Sequence, residues 1–365
     1  MTEIEATFRV TTPMFCGGAN GQSAELRAAS FKGVLRFWWR ACAWSRYQGD
    51  LERIQAEEAR LFGSPDTGQS QVWVRLEDTR AVPSPREDHE VLRLQGAKYL
   101  GFGLKQFDGS GARSCLPDPF DVRVRLVCRR VDREGVESVE DAVRALGMLG
   151  GMGARSRRGY GSLSLAALRV AGEDRSVPAT ASELDAALGR WYDGAPTSLP
   201  EYTALSGQSR HLVLRCGKAK ATEVLNQLGM EYAGYRRRDR GGWRSKKLVG
   251  DHTIAVEGRP PGVHPKRIAF GLPVNFGNGE LVKPAGHDRR ASPLLFHIHQ
   301  CDDGAVAVVS LLPARFLPEG KSAVTLANND RRPIDSGDAL YQSVVDFLDY
   351  LEHESDFTPV RQVRR

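Results

Sequence analysis

Residues 147–161 read GMLGGMGARSRRGYG, and they concentrate binding chemistry. Arg155, Arg157 and Arg158 stand among Gly150, Gly151, Gly153, Gly159 and Gly161. Guanidinium groups donate hydrogen bonds in pairs to phosphate oxygens. Glycines let a backbone approach an anion and turn its N–H groups toward it. The combination suits a sugar-phosphate strand. It is not a nucleotide P-loop: GxxxxGK[ST] is absent, and the segment follows a helix rather than preceding one. The same order excludes the dinucleotide fingerprint. The plain alternative is a flexible surface turn.

Three further segments repeat the theme. In FKGVLRFWWRACAW, preceded by Arg27, the residues Lys32, Arg36 and Arg40 are four apart and line one helical face. Phe31, Leu35, Trp38, Trp39 and Cys42 fall largely on another. Two adjacent tryptophans are not expected to face inward together, which leaves Trp39 or Trp38 to stack on a base. The alternative is an amphipathic helix with a solvated charged face. Residues 234–247, GYRRRDRGGWRSKK, hold Arg236, Arg237, Arg238, Arg240, Arg244, Lys246 and Lys247 with Tyr235 and Trp243 interleaved. They read as a basic arm that orders on RNA, or as a solvated insertion. Arg289 and Arg290 follow a Gly-containing turn and precede a strand, echoing Arg157-Arg158 and suggesting duplication.

Catalytic patterns are sparse. His297 and His299 are two apart on an expected strand and share a face, but a zinc site needs three or four ligands. His287-Asp288 has the wrong order for an HD phosphohydrolase, and GxSxG, HExxH and kinase signatures are absent. A His-based endoribonuclease is the alternative activity, because acid and base partners need not be close in sequence. Cysteines 16, 42, 115, 128, 216 and 301 form no CxxC pair. No catalytic residue, metal or cofactor is expected.

The elements that must position these residues alternate between periods of two and 3.6. Strands are expected at 5–11, 71–77, 121–128 and 162–170. Helices are expected from a Ser30 cap through 46, at 51–62, and at 139–149 behind a Ser138/Asp141 capping box. That order, β-α-(α)-β-β-α-β, is ferredoxin-like, an α+β fold. Residues 78–118 form an insertion, and 171–208 a crossover. A second, less regular ferredoxin-like unit follows. It has strands at 210–216, 267–274, 293–299 and 305–312 and helices at 219–232 and 338–352. The expected domains are therefore 1–175, with insertion 78–118, and 205–365, with basic loop 234–250. The 365 residues suffice for two cores, and 41% hydrophobic with 26% charged residues is ordinary for a globular protein. Arginine outnumbers lysine 41 to 10, and the net charge is +6, a bias toward anionic partners that GC-rich coding would also produce. No apolar run is long enough to span a bilayer, and the N-terminus lacks a targeting pattern, so a cytoplasmic location is expected.

TTPMFCGG and ELRAASFKGVLRFWWRA resemble the N-terminal signature of the first RAMP-superfamily subunit of type III-B (Cmr) CRISPR effectors. GGMGARSRRGYGSL is similar to the glycine-rich loop of RAMP proteins, and FGLPVNF and RRASPL to later signatures of the same subunit. The resemblance touches both halves of the chain. It implies two RRM-like domains, contact with crRNA near its 3′ end or with target RNA, and other RAMP subunits as neighbours. It also implies no catalysis by this subunit. No motif covers the insertion or the 234–250 arm.

Overall fold

Alternating burial organises the first strand: Ile4, Ala6, Phe8 and Val10 point into the core while the residues between them face outward. The computed structural model describes the chain apart from residues 19–22, 78–80, 83–88, 106–112, 117, 219, 237–247, 249, 278, 319–322, 335–336 and 361–365. The first half comprises β1 (Thr2–Val10), α1 (Ala28–Arg46), α2 (Leu51–Phe62), β2 (Val72–Leu76), α3 (Gln95–Leu100), β3 (Phe120–Cys128), α4 (Arg133–Leu149), β4 (Leu163–Val170) and β5 (Glu173–Arg175). The sheet order is β2-β3-β1-β4-β5, antiparallel throughout. Its first four strands have the ferredoxin-like arrangement, with α1 and α4 covering one face.

Two helix starts differ from expectation. Helix α1 begins at Ala28, with Arg27 at the N-cap and no side-chain cap. Helix α4 begins at Arg133, because Asp132 accepts the Gly135 N–H at 2.8 Å. Ser138 is not a cap: its hydroxyl donates to Gly135 O at 2.7 Å and accepts from Trp39 Nε1 at 2.9 Å.

In the crossover, α5 (Ala181–Gly189) opens on a capping box formed by Thr180 and Glu183. The second half then builds β6 (Arg210–Arg215), α6 (Ala221–Arg236), β7 (Leu294–Cys301), β8 (Gly304–Leu311), α7 (Gln342–His353) and β9 (Thr358–Pro359), with sheet order β7-β8-β6-β9. This is the same ferredoxin-like order. The strand expected at 267–274 is instead a 3-10 turn, Lys266–Phe270, followed by the short strand Val274–Asn275. That short strand joins Leu281–Pro284, Ala323–Thr325 and Arg331–Pro333 in a separate small sheet. No helix among the described residues is long and apolar enough to cross a membrane.

The insertion does not stay with the domain that emits it. Val91, Leu92, Ala97, Leu100 and Leu104 belong to the core of the second half. Helix α3 lies against α6 with backbones touching: Gly96 N donates to Asn226 Oδ1 at 2.8 Å. A β-carbon on Gly96 would sit 2.0 Å from Asn226 O, and one on Gly229 2.1 Å from Gly96 O. Gly96→Ala or Gly229→Ala is therefore expected to cost about 1–3 kcal/mol by overpacking, read as a lowered urea midpoint. Gly33→Ala, in helix α1 with open space around it, should leave the midpoint unchanged or raise it slightly.

Candidate nucleic-acid interface

Strand β7 has only β8 as a neighbour in its own sheet, so its outer edge needs other partners. The first domain supplies them. Phe296 N donates to Arg157 O at 3.1 Å. Ile298 N donates to Ser162 Oγ at 3.0 Å, and Gln300 N to Ser164 Oγ at 2.9 Å. Thr11 Oγ1 donates to Ile298 O at 2.6 Å. Phe296 is thus tied to the 150–161 loop, Ile298 to Thr11 and Ser162 at the ends of β1 and β4, and Gln300 to Ser164 of β4. Beneath this seam His297 Nδ1 donates to Gly150 O at 2.8 Å, and His297 Nε2 then accepts from His299 Nδ1 at 3.1 Å.

The seam brings arginines from distant segments together. Arg155 and Arg289 are exposed, and Arg157, Arg158 and Arg290 are half-buried. Arg155 lies close enough to Arg158, Arg289 and Arg113 that, after burial, their charges push its pKa down. Burial, then Arg290 and Arg158, push Arg157 down to about 10. Aromatic faces hold two of the guanidinium groups: Arg157 is 5.0 Å over Phe37, and Arg158 is 4.7 Å over Tyr232. Carbonyls hold them too: Arg157 also donates to Ser292 O at 2.8 Å, and Arg155 donates to Phe102 O. Arg290 sits 5.5 Å over Phe316. Among the described residues none of Arg113, Arg155, Arg157, Arg158, Arg289 and Arg290 has a carboxylate within ion-pairing distance. An unneutralised cluster of this kind attracts a polyanion.

Other expected site residues are placed differently. Arg36 and Arg40 line one face as their spacing requires, but α2 packs there, and both pair with Glu58, at 2.9 and 2.6 Å. Trp38 and Trp39 are both buried, so neither is available to stack on a base. Helix α1 is covered on two sides: Trp39 packs on Phe62 of α2, and Trp38 lies against Gly150. Lys32 is half-buried beside a cleft along β2, and Arg27 is exposed near Cys16. Arg236 is not a mobile ligand-seeker; it stacks 4.7 Å over Tyr232 and 5.2 Å over Phe270, inside the second half. Arg237 and Arg238 lie outside the described residues.

The glycine-rich loop is neither an open cradle nor a flexible turn. The N–H groups of Gly150, Met152, Ala154, Gly159 and Gly161 all donate to the chain's own carbonyls. Gly150 and Gly151 are buried. A β-carbon on Gly150 would meet Trp38 Nε1 at 2.5 Å, and one on Gly151 would meet Gly161 O at 2.7 Å. Gly153 is exposed with φ +88°. The glycines therefore serve close packing that fixes the exposed tip, 153–157. Among the described residues no three His, Cys, Asp or Glu side chains are grouped to hold a metal.

Comparison with known proteins fits this architecture. The sequence model of the RAMP superfamily matches residues 7–164. The match spans nearly all of the first domain. Its glycine-rich segment is the loop at the seam. Two curated proteins of Pyrococcus furiosus are similar to the chain. The CRISPR system Cmr subunit Cmr1-1 is 26% identical over 315 residues, 82% of this chain and 83% of that protein. Subunit Cmr1-2 is 28% identical over 188 residues, 46% of this chain and 98% of that protein. In fold, the chain is similar to the crystal structure of apo Cmr1 from the same organism, with TM-score 0.64 at 20% identity over 98% of both chains. It is also similar to a chain of the type III-B Cmr-beta complex bound to cognate target RNA. There the TM-score is 0.52 at 11% identity over 96% of this chain and 99% of that one. The likeness in fold therefore extends beyond the residues that the superfamily model matches.

The histidine pair gives the seam a pH dependence. Burial pushes His297 down to about 4, and burial and then His297 push His299 well below the usual imidazole range. Unfolded imidazoles titrate near 6.5. The unfolded chain therefore takes up protons between pH 6.5 and 4 that the folded chain refuses. This contribution to stability is complete above 6.5 and is lost as pH falls through that window. For His297 alone the loss from pH 7.5 to 5 is about 2 kcal/mol. Urea unfolding at both pH values should show it, and His297→Gln should flatten the difference.

Proposed function

We propose that this chain is a non-catalytic RNA-binding subunit of a type III-B CRISPR ribonucleoprotein effector. It acts in antiviral defence in the cytoplasm, beside other RAMP subunits. The arginine cluster at the seam grips the ribose-phosphate backbone of crRNA, in its 3′ region, or of target RNA. One observation carries the reading: Arg113, Arg155, Arg157 and Arg158 meet Arg289 and Arg290 across two domains, with no described carboxylate to neutralise them. The similarity to Cmr1 subunits supplies the setting. Phosphate contacts carry little sequence information, so recognition is largely sequence-independent.

In this reading units 1–175 and 205–365 act as one body. The described part of insertion 78–118 braces the second unit, and Arg155, Arg289 and Arg113 are the exposed contacts, extended by Arg27. Arg157, Arg158 and Arg290 hold the positive field in place from below. Arg237 and Arg238 add charge from the 234–250 arm.

The test is single-stranded RNA binding as a function of salt. Replacing Arg113, Arg155 and Arg289 together by Ala should reduce the log–log salt slope by about 2 and weaken binding on the order of tenfold or more at physiological salt. Arg133→Ala, 93% exposed on α4, is the control and should change nothing. An unchanged slope in the triple variant would refute the interface. The purified chain, with or without divalent metal, is expected to leave labelled RNA intact. Cleavage abolished by His297→Gln would instead establish the ribonuclease reading.

A further inference from the structure

Strand β2 is the outer strand of the first sheet, and the register shows which of its backbone groups lack a neighbour. Arg129 N donates to Gln71 O at 2.8 Å, and Glu77 N to Arg123 O at 3.0 Å. In an antiparallel pair, hydrogen-bonded and non-bonded positions alternate. Residues 71, 73, 75 and 77 therefore bond inward to β3, and Val72, Val74 and Leu76 direct N–H and C=O outward. Val72 is satisfied locally: its N–H donates to Ser70 Oγ at 3.2 Å, and the same hydroxyl lies 2.7 Å from Val72 O. Val74 and Leu76 have no such local partner among the described residues.

Val72, Trp73 and Val74 of this edge form one wall of a cleft of about 640 Å³, and Leu76 continues the edge beyond it. Ala28, Ala29 and Lys32 of α1 form the opposite wall, and Phe62 lies at one end. Ser64, Gln69 and Ser70 add polar groups to the lining, and Lys32 is its one charged side chain, with no ion-pair partner among the described residues. Natural edge strands are usually short, bulged, covered or charged along the edge. β2 has neither proline nor bulge, and its exposed side chains are Trp73, 41% exposed, and Arg75.

We propose that this groove receives an extended segment of a neighbouring protein subunit, which adds to β2 as a sixth strand and places a carboxylate against Lys32. The outward pairs of Val74 and Leu76 supply the main-chain hydrogen bonds, and the groove wall and Lys32 select the side chains. RNA is the less suitable occupant, because bases and phosphates do not match an alternating row of N–H and C=O groups. The inference rests on the chain working within a multi-subunit complex, as proposed above.

Hydrogen exchange at Val74 and Leu76 tests it, comparing the isolated chain, the chain with a single-stranded oligouridylate, and the assembled ribonucleoprotein. Both amides should exchange rapidly in the first two samples and at least tenfold more slowly in the third. Val74→Pro removes an N–H that makes no internal hydrogen bond, so the variant should fold and keep its RNA affinity. It should fail to enter the assembled complex, and Lys32→Glu should weaken entry. Protection by oligouridylate alone would overturn the proposal in favour of RNA. Unchanged exchange within a complex that does contain the chain would overturn it while leaving the proposed function standing. If the wild-type chain enters no complex at all, the proposed function fails together with the inference.

Discussion

The satisfied outer edge of β7 is the constraint on which the two-domain arrangement depends. A sheet edge buried without partners leaves N–H groups unpaired, at about 1–3 kcal/mol each. Here the Arg157 carbonyl, Ser162 and Ser164 accept from Phe296, Ile298 and Gln300 in that order, at the spacing of a strand. Sliding one domain by one residue would present the wrong parity to all three donors. The register is therefore fixed by chemistry as well as by apolar packing, and so is the position of the arginines on either side.

Fixing the seam also explains how like charges are held together. Arg157 is flanked by Arg290 and Arg158 with no described counter-ion, an arrangement that opposes folding unless other interactions offset it. Ring faces and backbone carbonyls do so: Phe37 and Ser292 O for Arg157, Tyr232 and Phe296 for Arg158, Phe316 for Arg290. Each holds a guanidinium without cancelling its charge. A carboxylate would stabilise the fold more and would cancel the positive field. Arg36 and Arg40 show that contrast, since both are bound to Glu58.

Much of this was legible in the sequence. Alternation over β1, β3 and β4 and helical periodicity over α1 and α4 are local, and together they give the ferredoxin-like order of the first half. Arg157-Arg158 and Arg289-Arg290, whose echo in the sequence suggested duplication, lie beside one another at the seam although over a hundred residues apart. Failures came where the deciding partner is distant. Glu58 neutralises a helix face that the α1 sequence presents as free. Trp38 and Trp39 are both enclosed because α2 covers a side that a single amphipathic helix would leave to solvent. Gly150 and Gly151 resemble a phosphate cradle in composition. Their surroundings, Trp38 Nε1 and Gly161 O, show a packing requirement instead. The packing of α3 on α6 through Gly96 and Gly229 had no local signal at all.

The buried histidines bear on what the seam can do. His297 donates through Nδ1 to a loop carbonyl and accepts through Nε2 from His299, so both of its nitrogens are engaged inside the protein. A general base must reach the proton it removes, and an imidazole with about 1% exposure cannot approach a ribose hydroxyl on the surface. Nor are the arginines above it suited to proton transfer, because guanidinium remains charged across the physiological range. The pair that looked most like catalytic equipment instead locks the glycine loop to the second sheet. That lock fixes the spacing between Arg155 and Arg289 on separate domains, so under the proposed function a bound strand would meet a surface that binding need not order.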